Sequence, residues 1–182
     1  LSEGEILQLG NIGKEDFSEE AYFDVIRKKT AALFKASSQS GAVSVGAVQE
    51  EVMKAGLLGE MIGIAFQIKD DIFDYFESSE LGKPTGNDML EGKLTLPALY
   101  VLNQTGDDSL KQTALKIRSL EASKEEIANF VETVKEKGGI EYATRMMYEF
   151  RDKALALVPA SADSSLKEAL TAYIDYVIER NK

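Results

Sequence analysis

Asp70, Asp71 and Asp74 stand close together in the stretch Phe66-Gln67-Ile68-Lys69-Asp70-Asp71-Ile72-Phe73-Asp74-Tyr75. A helical pattern that begins near Val48 runs through them, so these carboxylates belong to a helix rather than a loop. At about 100° per residue, Asp70 and Asp74 share one face and Asp71 and Gln67 lie at its edge. Gly56, Gly59 and Gly63 extend that stripe upstream, while Met61, Ile64, Ile68 and Ile72 cover the opposite side, flanked by Ile62, Phe66 and Phe73. A helix apolar nearly all round is a buried helix. Carboxylates inside it are costly unless something positive neutralises them. A bound cation meets that need, with Asp70, Asp71 and Asp74 as its ligands. The chain has no histidine and no cysteine, so the ligands are oxygens, and oxygen ligands favour magnesium. Most acidic pairs on helices are solvated faces; the apolar setting of this one argues for a site.

Two further groups of residues suit an anion beside that cation. Lys29 shares a helical stripe with Tyr22, Ile26, Leu33 and Ala36 rather than with the charged face of Glu20, Asp24, Arg27, Lys28 and Lys35. A lysine on a core-facing stripe either snorkels outward or holds an anion in a polar cavity. Thr30 follows and brings a hydroxyl to the edge of the same cavity. After the acidic stretch comes Leu81-Gly82-Lys83-Pro84-Thr85-Gly86-Asn87-Asp88, then Glu91-Gly92-Lys93. Loop lysines hung from a rigid helix act as mobile point charges for phosphate, so Lys83 and Lys93 are expected to clamp phosphate oxygens.

Composition narrows the function. A net charge of -10 argues against a general nucleic-acid binder, which needs a basic footprint. Without cysteine there is neither a disulfide framework nor a thiolate zinc site. No apolar run reaches transmembrane length and no signal peptide opens the chain, so a cytoplasmic protein is expected. The 182 residues suffice for one domain with a real core.

The elements that must position these groups all read as helices. Patterns cover residues 1–9, 18–40, 48–76, 95–106, 123–138, 140–157 and 164–179, with a further helical stretch after 110. Ser18 has the character of an N-cap, and Ser123 with Glu126 forms a capping box. Pro97 suits a first helical turn, and Asp107-Asp108-Ser109 reads as a capping turn. No β-type alternation stands out. The chain is expected to be all-α, with residues 1–182 forming one domain or part of one, and its C-terminal tail is expected to be purely structural.

These motifs closely resemble the trans-type isoprenyl diphosphate synthases, also called polyprenyl synthetases. The segment from Gly63 to Asp74 is similar to that family's second aspartate-rich motif, and the segment from Gly82 to Pro97 to the stretch that follows it. Lys29-Thr30 is similar to the family's Lys-Thr pair. The opening Ser2-Glu3-Gly4-Glu5-Ile6-Leu7-Gln8 resembles that of long-chain members such as octaprenyl diphosphate synthases. The first aspartate-rich motif and its arginines would lie before Leu1, so the resemblance implies a C-terminal half.

The resemblance further implies a helical bundle around a central cavity, usually a homodimer. Its magnesium-dependent reaction ionises an allylic diphosphate, adds isopentenyl diphosphate and eliminates a proton. It implies Asp70 as a direct ligand, with Asp74 ligating or orienting water and Asp71 one step removed. Lys29, Lys83 and Lys93 would hold diphosphate, Gln8 and Gln67 would line the substrate site, and Thr30 and Gln67 would turn oxygen dipoles toward the cation. Alone, the chain is expected to be inactive and prone to associate through an exposed apolar face. The competing readings are a non-catalytic helical subunit that modulates a related synthase, and another magnesium-dependent terpenoid synthase. The retained Lys29 and aspartates disfavour the first, and the Lys83–Lys93 segment disfavours the second.

Overall fold

The structure, a computed structural model, describes residues 1–11, 16–76 and 85–180. Among them there are only helices: α1 (Ser2–Asn11), α2 (Glu19–Ile26), a π-helical turn (Arg27–Ala31), α3 (Ala32–Ser44), α4 (Gln49–Phe73), the single turn α5 (Asn87–Leu90), α6 (Leu96–Thr105), α7 (Asp108–Arg118), α8 (Lys124–Glu136), α9 (Gly139–Ala156) and α10 (Ser164–Glu179). Their ends follow local chemistry. The side chain of Ser18 accepts the amide of Ala21, that of Asp107 accepts those of Ser109 and Leu110, and that of Asp163 accepts that of Leu166. Ser123 and Glu126 form the expected reciprocal box. Helix α1 runs on from Leu9 through Gly10 and Asn11, which were expected to break it together with Gly13; Gly13 lies outside the described residues.

The 25-residue α4 is the axis of the molecule, packed by α3, the π-helical turn, α9, α10 and α6. Ile64 and Ile68 are fully buried along it, and they join Leu96, Leu99 and Leu102 of α6 and Val131 and Val134 of α8 in one core. The glycine stripe seats a neighbouring helix. A Cβ on Gly59 would lie 2.5 Å from the carbonyl oxygen of Phe34, and one on Gly63 would lie 2.6 Å from the Cα of Ala31. Among the described residues no helix is long and apolar enough to cross a membrane.

One expectation fails here. Leu33 and Ala36 were placed on the core-facing stripe with Tyr22 and Ile26, but both are exposed. The residues from 19 to 44 do not form a uniform α-helix. The π-helical turn inserts one residue into the helical ladder, which rotates everything after it by about 100°. The inward stripe therefore passes from Tyr22 and Ile26 to Ala31 and Phe34, and on to Ser38, whose hydroxyl faces Gly59. Helix α3 also continues past Gly41, the expected stop, to Ser44.

Gly59 and Gly41 give opposite predictions for one substitution. Gly59→Ala forces α3 away from α4 and should cost about 1–3 kcal/mol. Gly41 has nothing within 4 Å of an added Cβ, so Gly41→Ala should gain roughly 0.5–1 kcal/mol from helix propensity. Urea denaturation of both variants measures the difference, and equal effects would contradict the close α3–α4 packing.

Candidate active site

Polar side chains from α2, the π-helical turn, α4 and the α5–α6 segment converge on one cleft. Helix α2 contributes Tyr22, the turn Lys29, α4 Gln67 and Asp71, and the segment after α5 Lys93, with Asp88 beside it. Gln8 of α1 closes one side. Helix α1 can approach because its fourth residue has no side chain: a Cβ on Gly4 would lie 2.3 Å from the Lys29 amide nitrogen. The docked helix holds the Lys29 ammonium, which donates to Gln8 Oε1 at 2.8 Å and pairs with Glu5 at 3.1 Å.

The three aspartates take three directions. Asp70 and Asp71 are successive residues, so they point about 100° apart around α4. Asp70 faces α10 and forms an ion pair with Arg180, whose guanidinium lies 3.8 Å above the Phe66 ring. Its side chain keeps 43% of its exposure, and it does not line the cleft. Asp71, only 4% exposed, turns into the cleft. Asp74 accepts the amides of Asn87 and Asp88 at 3.0 and 3.1 Å, one on each carboxylate oxygen, and its carbonyl accepts the amide of Gly86. It fastens α5 to the end of α4 and so sets Asp88 beside the cleft. Among the described residues no three carboxylates gather into one metal-sized cluster. The shared face of Asp70 and Asp74 is real as an arc of α4, but its two edges meet different neighbours.

A chain of hydrogen bonds runs along the floor of the cleft. The Thr30 hydroxyl donates to Gln67 Oε1 at 2.6 Å, Gln67 Nε2 donates to Asp71 Oδ1 at 2.8 Å, and the Tyr22 hydroxyl donates to Asp71 Oδ2 at 2.6 Å. Burial raises the Asp71 carboxyl from the ordinary 3.8 to about 7, with Asp88 adding to the shift while Tyr22 and Gln67 oppose it. Burial likewise raises Asp88, and Lys93 opposes that rise. Lys93 lies against Glu91 and 3.9 Å from Asp88. Lys83 and Gly82 lie outside the described residues.

Sequence reasoning missed four residues here. Asp88 was legible as the acid between two loop lysines. Tyr22 carried a signal as a polar-tipped residue on the stripe of Lys29. Arg118, buried at the end of α7 with its guanidinium 4.9 Å from the Phe17 ring, lines the cleft without any local motif. Arg180 lies in the tail expected to be purely structural, and no periodicity could have announced its pairing with Asp70.

The donor set fits a hard divalent cation, since every candidate ligand is a carboxylate, amide or hydroxyl oxygen and the cations beside it suit a phosphate. The sequence profile of the polyprenyl synthetase family matches residues 1–134. The chain belongs to the polyprenyl synthetase family. Octaprenyl diphosphate synthase of Escherichia coli (strain K12) is 32% identical over 183 residues, covering 100% of this chain and 56% of that protein. A geranylgeranyl pyrophosphate synthase structure from Bacteroides thetaiotaomicron superposes with a TM-score of 0.94 at 57% identity, covering 99% of this chain and 60% of that one. A polyprenyl synthase from Caulobacter crescentus, in a structure complexed with calcium and isoprenyl diphosphate, superposes at 0.87 with 32% identity over 100% of this chain and 56% of its own. The chain therefore spans little more than half the length of these relatives.

The raised Asp71 carboxyl makes a stability prediction for this polyprenyl synthetase chain. The folded state binds the Asp71 proton more tightly than the unfolded state does. Its contribution to stability is therefore full below about pH 4 and is lost as pH rises toward about 7. Asp71→Asn removes that titration. Urea denaturation should show the variant gaining on the parent by roughly 2–4 kcal/mol across this interval; a constant gap would contradict the shift.

Proposed function

We propose that the chain forms the C-terminal portion of a prenyltransferase that elongates an allylic diphosphate with isopentenyl diphosphate, in a magnesium-dependent ionisation, condensation and elimination. The observation that carries this reading is the cleft itself. Two ammonium groups, Lys29 and Lys93, line it together with the oxygens of Gln67, Asp71 and Asp88, and Thr30 adjoins them through its bond to Gln67. Such a site suits stabilisation of a departing pyrophosphate rather than covalent catalysis.

Lys29, Lys93 and Lys83 hold the diphosphate in this reading, with Lys29 exchanging Glu5 and Gln8 for phosphate oxygens. Asp70, now paired with Arg180, would be the direct magnesium ligand. Asp74 ligates or orients water while it fastens the loop, and Asp71 fixes the groups around it. Magnesium held there would supply charge neutralisation for the leaving pyrophosphate. Thr30 and Gln67 present their oxygens toward the allylic cation left behind. The remaining metal ligands and the isopentenyl diphosphate site belong to a preceding N-terminal portion. The exposed Leu33, Val43, Val45, Val48, Met53 and Leu57 of the α3–α4 pair are the apolar surface that a further part of the enzyme, or a second copy in a homodimer, would cover. The enzyme is cytoplasmic in this reading.

Two measurements on the complete enzyme test the assignment. Asp70→Ala should lower turnover roughly a hundredfold or more without changing the helical circular dichroism, and wild-type turnover would refute its role. Neutralising Lys83 and Lys93 together should weaken allylic diphosphate binding by about tenfold or more. Unchanged affinity would remove both from the clamp.

A further inference from the structure

We propose that Tyr22 is a positioning residue whose phenol fixes Asp71 and, through Asp71, sets which end of the Gln67 amide faces Thr30. The proposal rests on the reading of Gln67 and Thr30 as the oxygens that face the allylic cation. It adds a residue with no place in the aspartate-rich motif, on a different helix and 49 positions upstream of Asp71.

The argument starts from the ambiguity of a glutamine amide. Its oxygen and nitrogen are close in size, so packing alone leaves its orientation open, and the dipole reverses when the group flips. Hydrogen bonding decides. When ionised, the Asp71 carboxylate only accepts, and it receives Tyr22 on Oδ2 and Gln67 Nε2 on Oδ1. With the amide nitrogen committed to Asp71, Oε1 must face the other way, where it accepts from Thr30. Against the ionised carboxylate, a flipped amide would set its oxygen against an Asp71 oxygen, two acceptors in contact.

Tyr22 suits the anchoring role because its own position is fixed. It is 8% exposed, belongs to the core cluster and meets Phe23 edge to face at 5.3 Å. Its hydroxyl ends on the cleft floor at 2.6 Å from the carboxylate. No hydrogen bond joins Tyr22 to Thr30 directly, so any coupling between them must pass through Asp71 and Gln67.

The test uses Tyr22→Phe, which removes only the hydroxyl. In the complete enzyme kcat should fall about tenfold or more, with KM for both diphosphates within about twofold of the parent and the thermal midpoint of a folded protein. The loss should shrink when Thr30→Val is already present, since both changes act on one chain of hydrogen bonds. An unchanged kcat, a rise in KM alone, or full additivity with Thr30→Val overturns the proposal. Should Tyr22→Phe fail to fold, Asp71→Asn enters the same network from α4 and is expected to give the same split between kcat and KM. A readout independent of turnover is the NMR signal of the Gln67 side-chain amide in the 182-residue chain. It should shift and exchange faster with water in Tyr22→Phe, and an unaltered signal overturns the proposal. A complete enzyme that performs no condensation removes the functional reading instead, while the amide signal still decides the role of Tyr22.

Discussion

A carboxylate buried in an apolar helix must be met by hydrogen-bond donors, and Asp71 is met by Gln67 of its own helix and by Tyr22, which ties α2 to α4. Neither the Tyr22 hydroxyl nor the Gln67 amide would lie where it does without the other elements of the cleft. The two hydrogen bonds to Asp71 do not erase the cost of burial, since its carboxyl still sits near neutrality rather than in the ordinary acid range. An unfavourable charge environment kept in place by packing is common at functional sites.

The packing that holds it depends on small residues. Gly59 and Gly63 let α3 and the π-helical turn lie against α4 at backbone contact, and Gly4 lets α1 lie on that turn. The π-helical turn does two things in this arrangement. It sends Lys29 into the cleft and Thr30 to Gln67, and it rotates α3 so that Phe34 and Ser38, not Leu33 and Ala36, meet α4. Interruptions of this kind recur at functional sites because they re-aim side chains within an otherwise regular helix.

The acidic motif divides its work among its members. Asp71 organises the cleft floor, Asp74 fastens α5, and Asp70 stands at the other edge of α4 in the grip of Arg180. Asp70 keeps 43% of its side-chain exposure, with a partner that a cation could displace. That division occurs in a chain that belongs to the polyprenyl synthetase family and spans little more than half the length of its relatives.

What the sequence determined is whatever depends on local spacing. The apolar stripe of Ile64, Ile68 and Ile72, the caps at Ser18, Asp107 and Ser123, and the arc of carboxylates on α4 all follow from helical periodicity and end chemistry. Lys29, Thr30, Gln8 and Gln67 were each singled out by their motifs, but their contacts, Lys29 with Gln8 and Thr30 with Gln67, were not. Tertiary structure alone decided the rest. Periodicity counts residues at a fixed turn, so it could not show the extra residue in the π-helical turn that sends Leu33 and Ala36 outward. It fixes angles around a helix but not which neighbour lies at each angle. That Asp70 meets Arg180 from α10 while Asp71 meets Tyr22 from α2 is therefore a fact of packing.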